Sequence, residues 1–192
     1  MILITGSNGQ LGTELRHLLD EKRIAYVATD AAEMDITDKN GVDIIFQEVN
    51  PTVVYHCAAY TAVDKAEDEG KEMNTLINEI GTKNVAEAAE SVGATMYYIS
   101  TDYVFDGTNQ DQYEVNDTAN PKNEYGHAKH AGEQIVQSIC SKFYIIRTSW
   151  VFGEYGNNFV YTMRRLAESY PKLTVVNDLK LKTNSIVLLL DS

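Results

Sequence analysis

Cysteine, proline and positive charge are all scarce in this 192-residue sequence. Only Cys57 and Cys140 are present, too few for a disulfide framework. Each sits in an apolar or helical run and reads as a small buried hydrophobe. Three prolines and 12 glycines exclude a collagen-like or low-complexity chain. Lys and Arg together number 16 against 28 Asp and Glu, a formal charge of −12. That balance argues against a nucleic-acid partner or an acidic membrane surface, whose affinity comes from surplus basic residues. It does not argue against a small anion, because backbone N–H groups bind phosphate without a basic side chain. No run approaches the ~20 apolar residues that span a bilayer. Met1–Thr5 enters a strand pattern directly, without the basic start of a signal peptide, so a reducing cytoplasm is the expected compartment.

What is present is an ordinary globular composition, 44% apolar and 23% charged. A chain of this length buries roughly 70% of the surface it exposes when unfolded and needs no metal or disulfide staple. Met1–Thr5 is a short apolar run ending at Gly6, and Leu11, Leu15, Leu18 and Leu19 follow at helical spacing. Strand-like runs recur at Ala25–Thr29, Thr52–Cys57, Thr95–Ser100, Phe143–Arg147 and Leu173–Val176. Between them, Val42, Ile45, Phe46 and Val49 mark one helix, stopped by Asn50-Pro51. A longer one spans Lys71 to Ser91, with Ile77, Ile80, Val85 and Ala88 on its buried side and Gly93 placed to end it. Further helices are expected over Glu124–Ser141 and Phe159–Ser169, and Asp106–Pro121 reads as a polar surface loop. This alternation predicts an α/β fold, a doubly wound parallel sheet with right-handed crossovers and helices on both faces.

The first strand-to-helix turn reads Gly6-Ser7-Asn8-Gly9-Gln10-Leu11-Gly12. Three glycines in seven residues are a weak signal alone, since any tight turn into a helix uses them. Their place between the first strand and the first helix is where a dinucleotide pyrophosphate meets free backbone N–H groups. Asp30 ends the second strand 21 residues after Gly9, near the spacing of a ribose-binding acid. A carboxylate there accepts the ribose hydroxyls and repels a 2′-phosphate, which favours NADH over NADPH. Asp35-Ile36 follows in a loop that passes the adenine side, although a helix cap explains Asp35 equally well.

Tyr125 and Lys129 form Y-x-x-x-K on one face of an expected helix. With 12 Tyr and 11 Lys, chance supplies about 0.7 such pairs, so the spacing alone decides nothing. The position decides more. The pair opens the helix after the fourth strand, and Ser100-Thr101-Asp102 marks that strand's carboxyl end, where ligands of such sheets bind. A free phenol has a pKa of about 10; an ammonium one turn away is expected to lower it towards the working range. Thr101 supplies a hydroxyl to hold a substrate oxygen in line with the phenol.

These pieces, taken with several longer phrases, resemble the extended short-chain dehydrogenase/reductase family, and within it the dTDP-4-dehydrorhamnose reductase branch. The phrases are Gly9-Gln10-Leu11-Gly12, Cys57-Ala58-Ala59-Tyr60-Thr61-Ala62-Val63-Asp64-Lys65-Ala66-Glu67 and Ser100-Thr101-Asp102-Tyr103-Val104-Phe105-Asp106-Gly107. They continue with Asn120-Pro121, Ala131-Gly132-Glu133, Arg147-Thr148-Ser149-Trp150-Val151 and Gly156-Asn157-Asn158-Phe159. The likeness covers residues 1–178, a nicotinamide-binding domain of the Rossmann type. It implies reduction of the 4-keto group of a dTDP-sugar, dTDP-4-dehydro-6-deoxy-L-mannose, to dTDP-L-rhamnose with a nicotinamide cofactor. Tyr125 would give the proton, Lys129 would hold the nicotinamide ribose, and Thr101 would bond the sugar carbonyl. Gly6, Gly9, Gln10, Leu11, Gly12, Asp30, Asp35, Ile36, Ala58, Ala59, Tyr60 and Thr61 would line the cofactor. Asn78 would order water near Lys129, and Asp102, Tyr103 and Trp150 would face the sugar. Glu14 matches a glutamate tied to magnesium at the family's homodimer contact, though a lone surface Glu reads more simply as solvated.

The resemblance breaks after Asp178. Residues 179–192 lack the family's Gly and Pro-Thr, read as a divergent tail, and leave the family's C-terminal substrate region largely missing. Cofactor binding is therefore expected to survive better than turnover. Two other functions compete: a related nucleotide-sugar epimerase or dehydratase, and a non-catalytic subunit like the regulatory chain of methionine adenosyltransferase.

Overall fold

The computed structural model describes residues 1–174 apart from 110, 112 and 157. Five parallel strands form one sheet in the order β2-β1-β3-β4-β5: β1 Ile2–Thr5, β2 Tyr26–Thr29, β3 Val53–His56, β4 Thr95–Thr101 and β5 Phe143–Thr148. The chain leaves β1 for β2 on one side and then returns to place β3 on the other. A crevice opens at the carboxyl ends of β1 and β3, where the winding reverses.

One face of the sheet presents Leu3, Val54, Met96 and Tyr98 to the apolar stripes of α2 (Lys39–Val49), α5 (Thr82–Ser91) and α6 (Glu124–Ile139). Val42, Phe46, Val85 and Val136 from those helices are fully buried. The other face packs Ile4 against Leu15 and Leu19 of α1 (Gln10–Glu21). The row through Ile4 continues in register as Tyr55, Tyr97 and Tyr144, whose rings lie 4.8 Å apart at each step. Three helix starts follow side-chain caps: Asp38 accepts from the Asn40 amide, Asn123 from Gly126, and Asn158 from Tyr161 at the head of α7 (Phe159–Ser169).

Two expectations need correction. The helix expected over Lys71–Ser91 is three pieces, α4 (Lys71–Thr75), a π-helical turn Leu76–Gly81, and α5. The wide turn shifts the helical register by a residue, so Ile80 is 45% exposed instead of buried. It also seats Gly81 on Ile36, where a Cβ would come 2.6 Å from Ile36 Cδ1. At the other end, Leu173 and Thr174 belong to no strand. The rest of the strand expected at Leu173–Val176, and the divergent tail 179–192, lie outside the described residues. Among the described residues no helix is long and apolar enough to cross a membrane.

Candidate active site

The glycine turn lies at the floor of the crevice because nothing larger fits. Gly6 has φ +64°, and a Cβ there would sit 2.6 Å from the Ala58 backbone leaving β3. A Cβ on Gly12 would strike the Gly6 carbonyl oxygen. Gly9 stands at the N-cap of α1 with no side-chain cap, so the first-turn N–H groups face the crevice unspent by any capping side chain. Gly6→Ala is accordingly expected to lower the melting temperature, read by a thermal melt.

Asp30 is bound to this turn. Its Oδ2 accepts the Asn8 amide at 2.9 Å and its Oδ1 the Ala31 amide at 2.8 Å. A carboxylate has roughly four acceptor positions, so capacity remains for ribose hydroxyls. Asp35 closes a local turn by accepting the Thr37 amide and hydroxyl, while the helix cap beside it is Asp38. Asp30, Asp35 and Ile36 line a cleft of about 1110 Å³ with Gly6, Gly9 and Gly12. Gln10, Leu11, Ala58, Ala59 and Thr61 line it as well.

The far end of the same cleft holds Thr101, Tyr125 and Lys129. Thr101 ends β4, and its Oγ1 donates to Asp102 Oδ1 at 3.1 Å and accepts the Tyr103 amide at 3.2 Å. The Tyr125 phenol hydrogen-bonds with the same hydroxyl. Lys129 is buried one turn along α6, with Nζ 4.1 Å above the Tyr98 ring. Asp102, Tyr103 and Trp150 stand where this cleft meets a second groove that runs along the loop after β4.

The electrostatics differ from the sequence expectation. Burial pushes Tyr125 up to about 12, against the pull of the Thr101 hydrogen bond. Lys129 is not among the groups that set that value. Burial instead lowers Lys129 to about 7, with Glu133 and Cys57 working the other way. What the site holds is a protonated phenol, a proton donor throughout the neutral range.

A buried polar chain supports Lys129 from beneath. His56 Nδ1 lies 2.7 Å from Thr5 Oγ1 and Nε2 lies 3.2 Å from Thr82 Oγ1. Tyr98 hydrogen-bonds with Thr82 and donates to the Lys129 carbonyl at 3.3 Å. Burial holds His56 down to about 3, so its ring is neutral and one nitrogen donates while the other accepts.

Three residues do something other than expected. The Tyr60 side chain turns away from the cleft and packs where Gly70 has no Cβ. Asn78 holds Tyr60 in place: its Oδ1 accepts the Tyr60 amide at 3.1 Å and its Nδ2 donates to the Tyr60 carbonyl at 3.0 Å and to Asn74 Oδ1 at 2.7 Å. Those bonds occupy the amide that was expected to order water. Glu14 accepts the Glu154 amide at 3.3 Å, and no cluster of three or more His, Cys, Asp or Glu able to hold a metal occurs among the described residues.

Sequence reasoning missed several wall residues: Cys57, Met73, Leu76, Thr148, Val151 and Gly156. Gln10 Nε2 donates to the Val151 carbonyl at 3.2 Å, which draws the segment after β5 over the head of α1. Gly156, at φ +72°, sits against Gln10; a glycine between polar residues was the available signal.

The profile of the RmlD substrate binding domain matches residues 1–183. The chain belongs to the RmlD family. A dTDP-4-dehydrorhamnose reductase of Aggregatibacter actinomycetemcomitans is 44% identical over 178 residues, 92% of this chain and 60% of that protein. The crystal structure of a dTDP-4-dehydrorhamnose reductase from Clostridium acetobutylicum superposes with a TM-score of 0.94 at 46% identity, covering 98% of this chain and 66% of that one. A Bacillus anthracis dTDP-4-dehydrorhamnose reductase, solved in complex with NADP, gives a TM-score of 0.84 at 45% identity over 88% of this chain and 60% of that one. This RmlD-family chain thus spans about three fifths of the length of the curated relatives it matches.

Proposed function

We propose that the chain is a nicotinamide-dependent reductase of the 4-keto group of dTDP-4-dehydro-6-deoxy-L-mannose, with NADH preferred to NADPH. The observation that carries this reading is convergence: one cleft joins the glycine turn and Asp30 to Thr101, Tyr125 and Lys129. The names of the relatives supply the substrate. Bound in the cleft, the dinucleotide supplies hydride. The first turn of α1 holds its pyrophosphate, Asp30 its adenine ribose, and Lys129 its nicotinamide ribose. Thr101 orients the sugar carbonyl, and Tyr125 gives its proton to the developing alkoxide, a far stronger base than a phenolate. On this reading the protein is a cytoplasmic enzyme of rhamnose synthesis and, as the resemblance implies, a homodimer.

The test is NADH oxidation by the intact chain with the keto sugar nucleotide. A steady rate supports the reading; tight NADH binding with no oxidation favours a non-catalytic binder and overturns it. Cofactor choice is tested separately. Asp30→Ser removes the charge opposing a 2′-phosphate and is expected to move the NADH-to-NADPH affinity ratio towards NADPH by about tenfold. An unchanged ratio removes Asp30 from that role.

A further inference from the structure

Glu133 is buried at 1% exposure directly beneath the site, one turn along α6 from Lys129. Ser100 Oγ donates to its Oε1 at 2.6 Å. Arg147 of β5 donates through Nε and Nη2 to the two carboxylate oxygens, each at 2.8 Å. This two-pronged pairing fixes the guanidinium plane, and these bonds with His130 hold the Glu133 carboxyl below its ordinary range. The guanidinium also reaches outwards. Its Nη1 donates to the Val115 carbonyl at 3.3 Å and its carbon lies 5.0 Å from the Phe105 ring centroid. Both contacts fall on the loop after β4, which forms a wall of the groove meeting the cleft at Asp102, Tyr103 and Trp150.

The loop has its own internal bracing. Phe105 stacks on Tyr113 at 4.1 Å. Asp106 accepts from Thr108, Tyr113 and Asn120. Among the contacts described, the ones that tie this braced loop to the buried polar floor run through one side chain. We propose that Arg147 is a positioning residue that ties the substrate-side loop, at Phe105 and Val115, to the catalytic helix through Glu133. Arginine suits the task where lysine does not, because a single planar fork serves a carboxylate, a carbonyl and a ring at once. The claim that the loop shapes a sugar-nucleotide pocket rests on the reductase reading; the claim that Arg147 holds the loop does not.

The experiment compares the intact chain with Arg147→Lys and Arg147→Met by amide hydrogen exchange, NADH fluorescence and steady-state kinetics. Exchange across 105–116 is expected to accelerate about tenfold or more in both variants, with the glycine turn unaffected. NADH affinity is expected to stay within about twofold, while KM for the sugar nucleotide rises about tenfold and kcat moves less than about threefold. If Arg147→Met fails to fold because Glu133 is left charged and unpaired, Glu133→Gln with Arg147→Met removes that charge and must release the loop in the same way. Loop exchange unchanged in the variants that fold, or acceleration spread evenly over the chain, overturns the proposal. Loop release with KM unchanged overturns its substrate half. Absence of turnover in the unaltered chain counts against the reductase reading alone, since exchange still decides the loop.

Discussion

Replacing Tyr125 by Phe lowers turnover about 10³-fold and leaves NADH affinity within about twofold. On the proposed function the phenol is the proton donor, its oxygen hydrogen-bonded to Thr101 where the cleft meets Asp102 and Tyr103. Pushed up to about 12 by burial, it stays protonated across the neutral range. The ring itself packs edge-on to Tyr103, with centroids 5.8 Å apart, and Phe preserves that contact. The variant therefore isolates the hydroxyl. Single-turnover and steady-state rates would both fall, and retention of more than about a tenth of the rate would assign the proton to another group.

Lys129→Met gives the opposite sign in stability. An ammonium ordinarily near 10.5 but lowered to about 7 by burial carries a penalty of roughly 5 kcal/mol on its charged form. Below pH 7 the lysine is charged in both folded and unfolded chains, and the folded state bears that penalty in full. Between pH 7 and 10.5 the folded chain has released the proton and the unfolded chain still holds it, so stability rises with pH across this window. Methionine never carries the charge, but it loses the attraction to the Tyr98 ring, about 1–2 kcal/mol. The net expectation is a gain of about 3 kcal/mol at pH 6, or about 6–12 °C in melting temperature, narrowing as pH climbs to 10.5. On the proposed function the same variant is also expected to lose nicotinamide binding. A stability difference that is flat or widens with pH would contradict the burial account.

These two residues also mark how far the sequence could be read. Tyr125 and Lys129 were legible as a pair because helical spacing is local and the preceding strand fixed their place. The direction of the phenol's shift was not legible, because it depends on the burial of Tyr125 and on Thr101, Asp102 and Tyr103 around it, which are set by packing across the sheet. The glycine turn and Asp30 could be placed for the same local reason, and the bonds from Asp30 to the Asn8 and Ala31 amides add only detail. Asn78 fared worse. Its role follows from the π-helical turn at Leu76–Gly81, and no periodicity in the sequence announces one extra residue per turn. Ile80 was misplaced by the same turn. Arg147 lay within a recognised phrase, yet its bonds to Glu133, Val115 and Phe105 join residues 14 to 42 positions apart, beyond any local pattern.

The −12 charge is compatible with the proposed anionic cofactor, because backbone N–H donors at the head of α1 would meet its phosphates with no basic surface required.

The central claim of the proposed function is that, in this cleft, hydride reaches the sugar carbonyl carbon and the Tyr125 proton reaches its oxygen. Its most direct test is turnover of dTDP-4-dehydro-6-deoxy-L-mannose with NADH deuterated at the nicotinamide C4, followed by magnetic resonance of the sugar product. The account predicts one deuterium at sugar C4, and none when Tyr125→Phe replaces the unaltered chain over the same interval. A product without deuterium at C4, or NADH bound with the keto sugar unchanged, would contradict it.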